Sequence, residues 1–179
     1  RWVFVVKYDA YGAFVTAKAR YVVQGFAQQC FGKTYAPTME KASTRVIGAV
    51  SARLGLIVMS LDVCSACLNA RLEEPECLEI PKEFATILNL PFLLTPGLTF
   101  VLLVALHGMV QAALAWNEEH NRGTSAFARG KHKFKATITD PCVHVMRMKE
   151  EGIFCVLGTH VDDCVIACNS NDLVQQFVN

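Results

Sequence analysis

The stretch HVDDCVIAC, residues 160 to 168, places two adjacent aspartates, Asp162 and Asp163, within an apolar run. Val156, Leu157, Val161, Val165 and Ile166 flank them, a β-branched and apolar pattern typical of a sheet. Burying a carboxylate pair is costly unless a cation or a hydrogen-bond network compensates it. A tight turn between two strands also satisfies the constraint, because Asp tolerates turn geometry well. Both conditions are met by a hairpin whose tip presents two carboxylates to a divalent metal.

The rest of the chain supplies the body that such a hairpin needs. At 179 residues, 53% hydrophobic and 18% charged, it is long and apolar enough to bury a core and does not read as disordered. The net charge of +1 means that a polyanionic partner must be held by a local basic patch. The first forty residues lean that way, with Arg1, Lys7, Lys18, Arg20 and Lys33 against Asp9 and Glu40.

Residues 2–8 and 14–24 read as strands joined by a turn at Asp9–Gly12. Residues 43–54 open on Ser and Thr and carry apolar residues at helical spacing, which predicts a helix capped at that point. Residues 56–63 form a β-rich run containing Asp62, 64–70 a short helical segment, and 76–80 a strand. A second helix is expected over 108–128, then strands over 143–149 and 153–168, the latter bending at the Asp pair. This order predicts an α+β domain with a mostly antiparallel sheet backed by helices. Asp62 and the Asp162–Asp163 tip are then expected side by side. Three clustered carboxylates are what a Mg²⁺-dependent phosphoryl-transfer site requires, since hard oxygen ligands hold that ion.

Two further features have ordinary explanations. Residues 85–106 carry no charge, but Pro91 and Pro96-Gly97 break the run short of the ~20 residues a spanning helix needs, so a buried strand or helix is expected. The eight cysteines are scattered, four of them in apolar surroundings, and read as reduced, core-filling thiols of an intracellular protein. Cys64 and Cys67 form a lone CxxC that no second pair completes, leaving a redox or zinc role as an alternative. The chain opens on RWVFVVKYD without an initiating Met and without a signal-peptide pattern, as expected of a piece of something longer.

Six blocks, in order, resemble the reverse transcriptase domain of copia-type LTR retrotransposons. They are RWVFVVKYDAYGAFVTAKARYVVQGFAQ, KTYAPTM, LDVCSACLNARLEEPECLEIPKEF, LHGMVQAALAW, TDPCVHV and HVDDCVIA. The resemblance implies the fingers (approximately 1–55) and palm (approximately 56–179) of a right-hand polymerase, with the thumb missing. It implies an RNA-directed DNA polymerase that transfers a nucleotide from dNTP to a primer 3′-hydroxyl on a template, using Mg²⁺ or Mn²⁺. Asp62, Asp162 and Asp163 match the catalytic acids, and the Val63 carbonyl a further metal ligand. Lys18 and Arg20 match positions facing the triphosphate, and Gln111 and Cys67 positions at the nucleotide's base and sugar. The implied partners are an RNA or DNA template-primer, dNTPs, and integrase and RNase H domains of a parent polyprotein. The implied location is a cytoplasmic particle or the nucleus, with no membrane association.

The chain departs from the family pattern at several positions. Cys67 stands where the family has an aromatic ring, His160 replaces the Tyr before Val-Asp-Asp, Val110 replaces a Lys, and Ala113-Leu114 replace Pro-Arg. An inactive remnant that at most binds nucleic acid is therefore the alternative reading.

Overall fold

A computed structural model describes residues 1–29, 32–79, 82–89 and 98–178. In chain order, strands β1 (Trp2–Tyr8) and β2 (Phe14–Tyr21) precede helix α1 (Lys41–Leu54) and strand β3 (Ile57–Asp62). Strand β4 (Arg71–Glu79), helix α2 (Lys82–Ile87), strand β5 (Thr99–Val104) and helix α3 (Ala112–Ala126) follow. Three two-residue strands come next: β6 (Ala128–Arg129), β7 (His132–Lys133) and β8 (Lys135–Ala136). The chain then runs through β9 (Val143–Met148), β10 (Ile153–His160), β11 (Asp163–Cys168) and helix α4 (Asn171–Val178). Every strand pairing among the described residues is antiparallel, which is the α+β class that the sequence predicts.

The chain divides into two compact units, each built from two stretches: Arg1–Thr34 with Cys67–Ala115, and Tyr35–Ala66 with Trp116–Asn179. The first unit holds two ribbons, β1–β2 and β4–β5. The β1–β2 turn forms as the Asp9/Gly12 signal predicts. Asp9 Oδ1 accepts the backbone N–H groups of Tyr11 at 2.9 Å and Ala13 at 2.8 Å, and Gly12 takes a φ of 81°. Rings of Trp2, Tyr21, Phe84 and Phe100 pack edge-on or tilted at centroid distances of 5.4 to 6.1 Å, joining both ribbons to α2. Gly25 and Gly108 pass so closely that a β-carbon on either would run into backbone: the Gly108 carbonyl for Gly25, the Val23 carbonyl for Gly108.

The second unit is organised on a five-stranded sheet of order β3-β11-β10-β9-β8. Side chains alternate across it. One face presents Met146, Met148, Cys155, Leu157, Cys164, Ile166 and Cys168 to Phe134 and to Leu173 and Val174 of α4. The other presents Val143, Val156 and Ala167 to Met39 and Ile47 of the α1 segment. Gly158 allows that approach, since a β-carbon there would collide with Met39 and Ile47. The four buried cysteines, Cys142, Cys155, Cys164 and Cys168, are free thiols that fill this core.

The structure corrects two expectations. Helix α1 starts at Lys41, and the N-cap is Glu40 without a side-chain cap bond; Ser43 and Thr44 lie inside the first turn. The anchor is tertiary, because Asp140 Oδ2 accepts the Glu40 N–H at 3.0 Å. Within the uncharged stretch 85–106, residues 90–97 lie outside the described residues, and β5 is open on one side: Val101 is 60% and Leu103 65% exposed. A two-stranded ribbon can cover only one of its faces, so alternate apolar residues stay in water. No described helix is long and apolar enough to cross a membrane. In agreement with the sequence reading, Asp162 and Asp163 are exposed at the tip of a hairpin whose strands are largely buried behind them.

Candidate functional site

The second unit gathers the three aspartates through its strand register. Asp62, at the end of edge strand β3, lies directly opposite Asp163, the first residue of β11. Directly opposed residues on antiparallel strands have Cα atoms ~4.5–5.5 Å apart. The Val63 N–H donates to the Asp162 carbonyl at 3.0 Å, tying the strand that carries Asp62 to the turn that carries Asp162. All three side chains are exposed, and none forms an ion pair among the described residues.

Their combined charge reaches a buried neighbour. Burial pushes the Cys164 thiol up, and the negative charges of Asp163, Asp162 and Asp62 push it further, against a hydrogen bond to Thr159 that lowers it. Exposed carboxylate oxygens are hard donors of the kind that Mg²⁺ selects, so the donor chemistry fits a divalent ion. Among the described residues, however, no group of three or more His, Cys, Asp or Glu side chains is arranged to hold a metal. The backbone brings these acids together; their side chains are not drawn into a preformed cage.

The turn that carries the pair is strained. Val161 has a φ of 60°, in the left-handed region where a β-branched residue is an outlier costing roughly 1–3 kcal/mol. Helix α3 braces this turn. Trp116 Nε1–H donates to the Val161 carbonyl at 2.6 Å. One helical turn later, His120 Nε2 lies 3.5 Å from Thr159 Oγ1 and 3.7 Å from Cys164 Sγ. Thr159 and Cys164 are register partners near the end of β10–β11. Burial holds His120 below the usual imidazole range, with the neighbouring His144 adding to the effect. Burial alone does the same to His144, whose Nδ1 has no hydrogen-bond partner among the described residues.

The other residues singled out in the sequence lie in the first unit. Lys18 and Arg20 stand on the same face of β2, opposite Val5 and Val3, and both are exposed. Lys7 shares that face, so three cations line one side of the ribbon. Cys67 is half-buried in a 3₁₀ turn over Ala66–Asn69, where its carbonyl accepts the Ala70 N–H at 3.1 Å. Gln111 immediately precedes α3, and its carbonyl accepts the Ala115 N–H at 2.9 Å.

Sequence reasoning did not find the partners of Gln111. Gln28 Nε2 donates to Gln111 Oε1 at 2.8 Å, and Gln111 Nε2 donates to Glu76 Oε1 at 2.8 Å. Gln28 Nε2 also reaches Glu76 Oε1 at 3.2 Å, and Gln28 Oε1 accepts the Val110 N–H at 3.1 Å. The available signal was that Gln28 and Gln111 each fall within one of the ordered blocks. The bracing Trp116 likewise ends the block LHGMVQAALAW.

Comparison with known proteins agrees with the family resemblance. The family model described as reverse transcriptase (RNA-dependent DNA polymerase) matches residues 1–179. The chain is 32% identical over 180 residues to the retrovirus-related Pol polyprotein from transposon TNT 1-94 of Nicotiana tabacum. That alignment covers 99% of this chain and 13% of the polyprotein, so the chain spans a small part of its relative's length. No solved structure matches.

Proposed function

Because this chain belongs to the reverse transcriptase family, as a domain of the copia retrotransposon type, we propose that it extends a primer on an RNA or DNA template with dNTPs. The observation that carries this reading is the register that sets Asp62 opposite Asp163, beside Asp162. Asp62, Asp162, Asp163 and the Val63 carbonyl would hold Mg²⁺ or Mn²⁺. When bound, the metal supplies activation of the attacking hydroxyl and neutralises charge on the leaving phosphates.

The chain's own residues have separable roles in this reading. The three carboxylates, which form no ion pair among the described residues, make a negative end to the sheet that favours a divalent cation. Lys18 and Arg20 offset the charge of an incoming triphosphate. Gln111, oriented by Gln28 and Glu76, lies against the nucleotide. Cys67, smaller than the aromatic ring the family places there, lines the sugar and leaves room for a 2′-hydroxyl. Fingers (approximately 1–55) and palm (approximately 56–179) are the proposed functional division; the two compact units interleave across that boundary. Template-primer, dNTPs and the other domains of a parent polyprotein are the proposed partners.

The departures from the family pattern at Cys67, His160, Val110 and Ala113-Leu114 favour a second reading, an inactive remnant that retains nucleic-acid binding. A thiol-metal function has no such support, since among the described residues no cysteine-containing group of three or more ligands is arranged to hold a metal.

Primer extension on an RNA template with Mg²⁺ or Mn²⁺ separates the readings. The polymerase reading expects extension that Asp162→Asn abolishes. It also expects Mn²⁺ to raise the thermal unfolding midpoint of the wild type more than that of the variant. Metal at a hundredfold its Kd stabilises the folded state by about 2.7 kcal/mol. Equal thermal shifts in the two proteins, or template binding without extension, would remove the polymerase reading.

A further inference from the structure

The strained turn before the Asp pair needs an explanation beyond chain connectivity. Val161 is β-branched and sits at a φ of 60°, a conformation its own side chain disfavours. Nothing in the sequence around it, such as a Gly or an Asn, makes that backbone easy. Such a conformation persists only where its surroundings over-determine it. Two hydrogen bonds from different elements meet here. The Val63 N–H after β3 holds the Asp162 carbonyl at 3.0 Å, and the Trp116 indole N–H of α3 holds the Val161 carbonyl at 2.6 Å. Consecutive carbonyls of one turn are therefore fixed by two separate elements.

The hold from α3 extends below the turn. Trp116 is buried, and its ring packs edge-on against His120 with a centroid distance of 5.5 Å. His120 in turn reaches the register pair Thr159 and Cys164. Residues four apart on a helix share a face, so Trp116 and His120 present one surface to the hairpin at two successive levels. Replacing either strand of the hairpin with a shifted register would break both contacts at once.

We propose that Trp116 is a positioning residue: its indole N–H locks the Val161 carbonyl and thereby fixes the direction in which Asp162 and Asp163 project. The proposal rests on the polymerase reading only for its consequence, namely that the fixed direction matters to metal binding. The physical logic is that of outer-shell partners, which orient metal ligands without touching the ion and whose loss typically costs 10- to 100-fold in affinity or activity. His120 supports the arrangement by packing Trp116 and the hairpin stem, but it does not touch the turn's carbonyl.

The test compares the 179-residue chain with Trp116→Phe, which keeps an aromatic ring and removes the N–H donor. A second variant carries β-(3-benzothienyl)alanine at position 116, an isostere of tryptophan with sulfur in place of the N–H. It keeps the test decisive if the Phe variant folds poorly. In metal-free protein, the Val63 amide should exchange with solvent about tenfold faster or more in the variants, while the Leu157 and Ile166 amides should keep their rates. Titration with Mn²⁺, followed by electron paramagnetic resonance of the free ion, should show Kd raised by about tenfold. With template-primer, kcat should fall while KM for dNTP stays within about twofold.

Unchanged Val63 exchange in both variants overturns the lock. Faster Val63 exchange with unaltered Mn²⁺ affinity overturns the positioning role. Faster Val63 exchange in a chain whose wild type binds no Mn²⁺ upholds the lock and refutes the polymerase reading instead.

Discussion

The five-stranded sheet of the second unit is covered on both faces, whereas the β1–β2 and β4–β5 ribbons of the first unit leave much of their apolar surface in water. Leu157 at the centre of the sheet is fully buried; Phe4 on β1 is 74% exposed. The difference tracks what each region carries. In the proposed polymerase reading the aspartates need fixed relative positions, and they stand at the end of strands held by two helices and a packed core. In the same reading Lys18 and Arg20 need only to present charge, and a two-stranded ribbon with a local turn suffices for that. An isolated ribbon of this kind is marginal in water. The ring cluster of Trp2, Tyr21, Phe84 and Phe100 provides its main anchor.

The sharpest break of that comparison is a truncation in each region. Leu157→Ala removes a side chain buried on all sides and should cost about 2–5 kcal/mol, through lost transfer free energy and a residual cavity. Phe4→Ala removes a ring mostly in solvent and should cost about 1 kcal/mol or less. Urea unfolding followed by near-ultraviolet dichroism checks both. Costs of equal size would mean that the ribbon is as tightly packed as the sheet, and the contrast between the two regions would fail.

How much of this was legible in the sequence depends on whether a feature is local. The Asp9–Gly12 turn and the Asp162–Asp163 hairpin could be read directly, because the residues that fix them are adjacent in the chain. That Asp62 lies beside the Asp162–Asp163 hairpin was expected from two apolar, β-rich runs placed in one antiparallel sheet, and the register sets Asp62 opposite Asp163. The start of α1 was misplaced because its anchor, Asp140, lies a hundred residues away in sequence. The partners of Gln111 come from two other segments, so its side chain read as an ordinary polar position. The left-handed Val161 could not be expected at all, since its residue type argues against the conformation the tertiary structure imposes. The apolar run 99–104 read as buried because composition does not reveal how many strands will cover a sheet.

Asp140 offers a second, smaller test within the covered unit. Its Oδ2 accepts the Glu40 N–H at 3.0 Å and its Oδ1 the Cys142 N–H at 2.9 Å. Burial works against its ionisation, but a hydrogen bond from Ser43 and those two N–H groups outweigh it and hold the carboxyl below its usual range. A depressed carboxyl contributes stability that is present above its unfolded value, near pH 3.8, and is lost as pH falls through the folded value. Asp140→Ala should therefore cost roughly 2–3 kcal/mol at pH 7, from charge-assisted bonds lost to buried donors. The deficit should shrink in acid below about pH 4. A deficit that stays constant down to pH 2.5 would show that Asp140 acts by packing alone.

The smallest effect concerns the buried imidazoles behind the Asp hairpin. His120 and His144 are both held below the ordinary value near 6.5, His120 by burial and then by His144, and His144 by burial. Each is therefore neutral in the folded protein near pH 7, and protonation favours the unfolded chain. For a group depressed in this way, the stabilising contribution is complete above pH ~6.5 and declines as pH falls from there through the folded value. The decline has an upper bound of about 1.4 kcal/mol per pH unit for each histidine. Urea unfolding at pH 7.5, 6.5 and 5.5 should show little change over the first interval and a loss over the second. His144→Gln, which removes one titrating ring, should flatten the second interval by up to half. The loss should also be local: hydrogen exchange should accelerate in β10 and β11 between pH 6.5 and 5.5, after correction for the intrinsic rate, while β1 and β2 hold theirs. The two regions would then differ in acid response as well as in packing, because the covered sheet and the helix against it hold His120 and His144 neutral by excluding water.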